Sequence, residues 1–213
     1  MYFNKKIPFY KNPDNTHCYQ AVIKMLTKYY WPNKNYSWTE LDEFTAKQKD
    51  KWTYPTAGML WLSELGVEVK SVENFDYDRF LKKEGDYLIE LYGKEVGEEC
   101  IKNTDVSEEL KIVQEFKKKI KYEVRIPELD EIKSLIKDSW NVCVAVNSNK
   151  LNNKEGFVGH FLLIKGFDDN GFYLNDPGPD DAMENRFVDY ELFESAWAYP
   201  DKNSQNIMAF KKI

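Results

Sequence analysis

Apolar residues recur at three-to-four spacing along residues 18–29, where Cys18, Ala21, Val22, Met25, Leu26 and Tyr29 share one face and Tyr19, Gln20, Lys24 and Lys28 lie off it. This predicts an amphipathic helix that stops before Pro32. The polar run Lys11–His17 precedes it and offers Asp14, Asn15 and Thr16 as caps. Cys18 therefore belongs in the first turn, at the edge of the buried face. Further helices are expected over about Trp38–Lys49 (Leu41 and Phe44 inward), Thr56–Leu65 ending at Gly66, Tyr77–Lys83 capped by Asp76, and 106–121 with Ser107 as cap. In the last of these Leu110, Val113, Phe116 and Ile120 face inward. Val67–Val72 alternates like a half-exposed strand, and Tyr122–Ile126 reads as a short strand. Residues 87–92 fit either state. Residues 7–10 are extended, and Pro8 excludes a central strand.

From Pro127 a helix with Leu129, Ile132, Leu135 and Ile136 inward leads into Trp140–Val146, a strand apolar on both faces. After a polar loop, Ser148–Gly156, come two aromatic-rich runs, Gly159–Phe167 and Gly171–Pro177, around the turn formers Asp168-Asp169-Asn170-Gly171. They predict a β-hairpin. His160 opens its first strand and Asn175-Asp176-Pro177 closes its second. Equal parity lets His160 and Asp176 share a face, and they stand directly opposite only in a register centred on Asp168. A polar loop over 177–181, an extended Arg186–Val188, a helix Tyr190–Trp197 capped by Asp189 and a closing strand Asn206–Phe210 complete the chain. With helices dominating the first half and strands the second, the class is α+β. The expectation is one domain over 1–213, with a helical lobe over about 14–121 and a sheet lobe over about 122–213.

Composition excludes several classes. With 213 residues, 42% hydrophobic, 14 Tyr, 13 Phe and 6 Trp, the chain can bury a core and is not disordered. A formal charge of −6 argues against a nucleic-acid partner. Lys117-Lys118-Lys119 reads as the solvated face of a helix. The N-terminus has no apolar run of signal-peptide length, and no stretch approaches the roughly 20 apolar residues of a membrane span. Three cysteines without metal spacing argue against a disulfide framework. These readings point to a cytoplasmic protein without membrane insertion and with no cofactor; oligomeric state is not indicated.

A thiol at a helix start meets unpaired N–H groups and the positive end of the dipole, which favour thiolate. An imidazole nearby lowers its pKa further. Of two histidines, His17 adjoins Cys18 and is badly placed to aim its ring at that sulfur, so His160 is the available base and Asp176 its available orienter. Each residue has a blander reading: Cys18 as a small buried hydrophobe, His160 as a structural strand residue, Asn-Asp-Pro as a turn. Cys143 reads as core and Cys100, among charged residues, as surface or loop. A metal site from His17, Cys18 and His160 has no ligand spacing behind it.

Taken together, Ile7-Pro8-Phe9-Tyr10-Lys11-Asn12, Cys18 opening a helix with Ala21, and Gly159-His160-Phe161-Leu162-Leu163-Ile164-Lys165-Gly166-Phe167-Asp168 followed by Gly171-Phe172-Tyr173-Leu174-Asn175-Asp176-Pro177 resemble the papain-like cysteine peptidases of the bacteriocin-processing, double-glycine leader type. That group includes peptidase domains of peptide exporters and stand-alone peptidase-like proteins. The helix and strand over Pro127–Val146 fit as well, whereas residues 66–125 match nothing specific. The resemblance implies a papain-like fold, with the cysteine helix packed on a C-terminal antiparallel sheet. It implies Cys18 as nucleophile, His160 as general base and Asp176 as orienter. The family's oxyanion glutamine, six residues before the cysteine, is here Asn12, one methylene shorter. Its glycine after the cysteine is here Tyr19, which with Gly159 would border the substrate.

The implied function is hydrolysis of a peptide or small amide through an acyl-enzyme, with transfer to another acceptor using the same groups. The alternative is a weak or inactive peptidase-like binding module, for which Asn12 and Tyr19 speak. A regulatory or immunity-type protein with a structural cysteine is a third reading. The aromatics Tyr2, Phe3, Trp31, Trp52 and Tyr54 are candidates for peptide contact but read mostly as core.

Overall fold

The computed structural model describes residues 2–179 and 181–212; Met1, Ile213 and Asp180, the last within the polar loop expected over 177–181, lie outside it. In chain order the elements are β1 (Phe3–Asn4), α1 (Cys18–Tyr30), α2 (Trp38–Phe44), α3 (Thr56–Glu64), β2 (Val67–Glu73), α4 (Tyr77–Lys83), α5 (Gly85–Asn103), α6 (Val106–Lys119), β3 (Lys121–Val124), α7 (Leu129–Lys137), β4 (Asn141–Asn147), α8 (Ser148–Leu151), β5 (Gly159–Phe167), β6 (Gly171–Asp176), β7 (Met183–Asp189), α9 (Tyr190–Trp197) and β8 (Asn206–Lys212). This is the expected α+β class.

One sheet runs in the order β3-β2-β8-β4-β5-β6-β7, with β1 added against β5. Every pairing is antiparallel except β2 with β3. The two halves are therefore not separate layers, because the first half supplies β2, held between β3 and β8. Side-chain alternation explains why β4 is apolar throughout. Cys143 joins Leu163, Met208 and Phe210 beneath α1 and α3–α6, whereas Val142 and Val144 join Leu162, Ile164 and Phe172 beneath α7 and α9. Both faces of the sheet are thus covered.

Local chemistry accounts for the departures from expectation. α2 ends at Phe44 rather than Lys49: the Thr45 hydroxyl donates to the Leu41 carbonyl at 2.7 Å, and Ala46 turns left-handed at φ 51°. The cap of α6 is Asp105, accepting the Glu108 N–H at 3.2 Å, and not Ser107. Residues 87–92 are helical, within an α5 interrupted at Gly93, whose φ of 78° suits glycine. Ser148–Leu151 forms a helical turn inside the expected loop. The strand at Phe3–Asn4 lies ahead of the extended stretch expected over 7–10. The expected caps Asp76 and Asp189 are observed, each carboxylate accepting first-turn N–H groups. Among the described residues no helix is long and apolar enough to cross a membrane.

Candidate active site

Cys18 is the first residue of α1, as the periodicity demanded, although its cap differs from the candidates. The cap position is His17, which makes no side-chain cap bond. Its imidazole is instead held between carboxylates, Nδ1 at 2.6 Å from Asp14 and Nε2 at 3.0 Å from Asp42. That leaves the ring unavailable to the adjoining sulfur. The turn before the helix is organised by Asn12, which is 2% exposed. Its Oδ1 accepts the His17 N–H at 3.0 Å and the Asp14 N–H at 3.3 Å, and its own N–H donates to Pro177 at 2.9 Å. Asn12 thus ties the cysteine turn to the chain just after Asp176.

The hairpin delivers the other two groups. Its register is not centred on Asp168: Phe167 pairs with Phe172 and Gly166 with Tyr173, then a bulge shifts the pairing so that Ile164 meets Leu174 and Leu163 meets Asn175. Asp176 consequently reaches His160 diagonally. Oδ1 of Asp176 lies 2.7 Å from His160 Nε2 and accepts the Gly178 N–H at 3.0 Å. Oδ2 accepts Nη1 of Arg186 at 2.7 Å, and Nη2 of the same guanidinium donates to the Leu151 carbonyl at 2.9 Å. Sequence reading missed Arg186, the second side chain on the Asp176 carboxylate. Its only sequence signal is scarcity, as one of three arginines in the chain. With Nε2 engaged, Nδ1 of His160 is buried and has no regular hydrogen-bond partner among the described residues, while the ring as a whole interacts with the Cys18 thiol.

The charges fit that arrangement. Burial works to raise the Cys18 thiol, but the hydrogen bond and charge of His160, with the backbone N–H groups of Phe161 and Tyr19, outweigh it and hold the thiol below its ordinary value. Burial works to lower His160, yet Asp176 and Cys18 push it up to about 9. Burial likewise works to raise Asp176, and His160, the Gly178 N–H and Arg186 keep it below the usual carboxylate range. The other thiols behave oppositely: burial pushes Cys100 up to about 12 and Cys143 well above the thiol range. Cys100 is half-buried in α5 and faces the cleft, contrary to the surface or loop setting expected of it, whereas Cys143 is core as expected.

Cys18 and His160 open into a cleft of about 180 Å³. Gly159, Phe157 and Trp52 line it together; a Cβ on Gly159 would lie 3.6 Å from Phe157 and 3.7 Å from Trp52. Tyr19 is 1% exposed, its hydroxyl donating to the Pro55 carbonyl at 2.8 Å and its ring tilted on Phe161 at 4.8 Å. Trp52 and Tyr54, read from sequence as mostly core, line the cleft. Asn12 lies behind the wall, its amide 3.5 Å from the Gly178 carbonyl. No group of three or more metal-ligating side chains is present among the described residues.

The chain is similar to solved structures over nearly all its length. The peptidase domain of Streptococcus ComA, a bi-functional ABC transporter involved in quorum sensing, matches with a TM-score of 0.51 and 16% identity over 96% of this chain and 98% of that one. A double glycine motif protease from an AMS/PCAT transporter, solved in complex with the leader peptide, matches with a TM-score of 0.52 and 13% identity over 99% and 95%. A protein from Bacillus anthracis described as a C39-like peptidase gives 0.52 and 14% over 100% and 98%. These likenesses show a shared papain-like fold. No curated protein matches the sequence. The Peptidase_C39 like family model matches residues 4–204, and the chain belongs to that family.

Proposed function

We propose that the protein is a cysteine peptidase that hydrolyses a peptide bond through Cys18, His160 and Asp176. The observation that carries this reading is the division on one imidazole, with Nε2 fixed at 2.7 Å from Asp176 and Nδ1 without a partner among the described residues, which leaves it for the sulfur of Cys18 in this reading. In the ground state the pair is thiolate and imidazolium. Cys18 Sγ attacks the carbonyl carbon, and the charge gathers on the carbonyl oxygen. His160 Nδ1 then gives its proton to the leaving nitrogen as the C–N bond breaks, leaving a thioester. Water attacks the thioester carbon and loses its proton to Nδ1; the acid leaves and the sulfur recovers its electron pair as thiolate. Asp176 holds the ring in plane throughout, itself held by Arg186.

The oxyanion faces the backbone N–H of Cys18, one of the donors a helix start leaves without an internal acceptor. Asn12 is the second donor in this reading, once it gives up its 3.5 Å contact with Gly178. That same contact favours the second reading, a peptidase-like binding module, because an unavailable donor costs on the order of 3 kcal/mol in the barrier. The peptide in the relative's crystal structure is a leader peptide; a peptide substrate suits the long cleft here.

The test is a proteome-derived peptide library incubated with the protein, with Cys18→Ala and with Asn12→Gln, new termini being mapped by mass spectrometry. New termini made by the parent and lost in Cys18→Ala support the peptidase, and faster cutting by Asn12→Gln supports the role of that side chain. A parent that makes none leaves the binding module.

A further inference from the structure

The cleft that opens at Cys18 ends at a carboxylate for which the proposed chemistry has no use. Glu73 closes β2 directly opposite Asn206 of β8. Asn206 in turn clasps β4, its Oδ1 accepting the Ala145 N–H at 2.7 Å and its Nδ2 donating to the Ala145 carbonyl at 3.0 Å. Ala145 pairs with Phe161 of β5, the neighbour of His160. These four residues form a row across four strands, and all line the cleft. Three strand spacings of about 4.8 Å place Glu73 about 14 Å from the reacting end, and an extended peptide covers that span in about four residues.

The far end holds two carboxyl groups without a basic partner among the described residues, and burial raises the pKa of both. Glu73 Oε1 accepts the Tyr77 hydroxyl at 2.6 Å and the Ser71 hydroxyl at 3.1 Å. A second carboxylate, Glu109, shares with Glu73 a void of about 20 Å³ behind the cleft and accepts the Thr56 hydroxyl. Among the described residues neither carboxylate pairs with a lysine, arginine or histidine, although the chain has 30 Lys and Arg. The rings of Tyr54 and Tyr92 flank the approach. Independently of these acids, Gln205, next to Asn206, is 3% exposed and lines the same cleft, and its side-chain amide makes no hydrogen bond among the described residues. The nearby Ser204 hydroxyl is buried and has no partner among the described residues. A buried hydroxyl without a partner is rare, and this one lies where a ligand's backbone would pass.

We propose that this end of the cleft is a subsite for a lysine or arginine side chain of an extended peptide, about four residues from the reacting carbonyl. Glu73 takes the cation, Tyr54 and Tyr92 flank its stem, and Gln205 bonds the peptide backbone. The assignment rests on the peptidase reading for the peptide nature of the ligand. It also gives residues 66–125 a role, because Glu73, Tyr92 and Cys100 come from that segment.

The test uses the Cys18→Ala protein, so that binding is read without turnover. The probes are fluorescent nonapeptides of otherwise uniform sequence in which one lysine is walked through every position, each matched to its norleucine version, with affinity measured by anisotropy. At one position lysine binds at least about tenfold tighter than norleucine, the value of a charge-assisted bond to a shielded carboxylate. Adding Glu73→Gln brings that ratio to about one, and Gln205→Leu weakens both peptides equally. Should Glu73→Gln not fold, acetylating the peptide lysine has to erase the preference, and Glu73→Asp has to reduce it. Equal binding of lysine and norleucine at every position, no binding at all, or a preference that survives Glu73→Gln in a folded protein overturns the subsite. Cleavage by the parent with no basic residue near the cut removes the subsite and keeps the peptidase; lysine-selective binding without cleavage does the reverse.

Discussion

Replacing His160 with alanine removes the hydrogen bond and the charge that hold the Cys18 thiol down, and leaves burial, which raises it, to act alone. The consequence is measurable without a substrate. At pH 6.5 a thiol of ordinary pKa near 8.5 is about 1% thiolate, so holding the Cys18 thiol below its ordinary value raises the nucleophile present there about tenfold for each unit of lowering. Lower basicity makes each thiolate a poorer nucleophile by only about 0.4–0.5 log units per pKa unit, so the gain in thiolate outweighs it by about threefold per unit. The parent should therefore be alkylated faster than His160→Ala at pH 6.5. The advantage narrows as pH rises through 8.5, where an ordinary thiol ionises unaided. Above about 9 His160 itself loses its proton and the ion pair ends. The assay is iodoacetamide alkylation resolved by peptide mass spectrometry across pH 5.5–9.5. Cys100 and Cys143 serve as internal controls, since burial raises both thiols. A Cys18 that reacts no faster than Cys100 at pH 6.5, or that is indifferent to His160→Ala, would refute the ion pair and with it the catalytic reading.

Two further outcomes concern the supports of the site. Arg186→Met leaves Oδ2 of the buried Asp176 without its partner and frees the Leu151 carbonyl, so urea unfolding should lose about 3 kcal/mol and the alkylation profile of Cys18 should move to higher pH; a loss below about 1 kcal/mol would show that Arg186 holds nothing. Glu109→Gln tests buried acidity. Burial pushes this carboxyl up to about 7 from 4.5, partly opposed by the Thr56 hydroxyl, so the folded state prefers its protonated form. Its contribution to stability is fully present below pH 4.5 and is lost as pH rises from there through 7. The substitution should therefore stabilise the protein at pH 8 by up to about 3 kcal/mol and change little at pH 4, as read from urea midpoints at the two pH values. Equal effects at both pH values would contradict the assignment.

The parts of the fold that sequence revealed are those governed by nearest neighbours. α1 was legible because its apolar residues fall at one period and its polar turn precedes it. α4 and α9 were legible because Asp76 and Asp189 do the capping that aspartate does. What escaped depended on residues far apart in the chain. The place of β2 inside the sheet is set by its antiparallel register with β8, some 140 residues later, and alternation within Val67–Val72 carries no record of it. The bulge that lets Asp176 reach His160 diagonally is a property of paired strands, so parity gave the shared face and left the register open. Arg186 and Glu73 matter only through what the sheet brings beside them. Cys100 was misread for the same reason: its charged sequence neighbours point to solvent, while its own side chain turns toward the cleft.

Tyr19 stands where the resemblance leads one to expect glycine, and its placement bears on whether the cleft is closed. Tyr19 borders the cleft, but its ring is not exposed in it. It lies down into the core, 1% exposed, tilted on Phe161 and anchored by its hydroxyl to the Pro55 carbonyl. Room for it exists because position 58 of α3 is glycine: a Cβ there would lie 2.6 Å from the Tyr19 hydroxyl oxygen and 2.7 Å from the ring, an impossible approach. The large residue on α1 and the missing side chain on α3 thus form one packing unit that also reaches β5, the strand carrying His160. The departure at position 19 is absorbed as packing between the cysteine helix and the histidine strand. It therefore argues for a site held in register rather than for one that has been blocked.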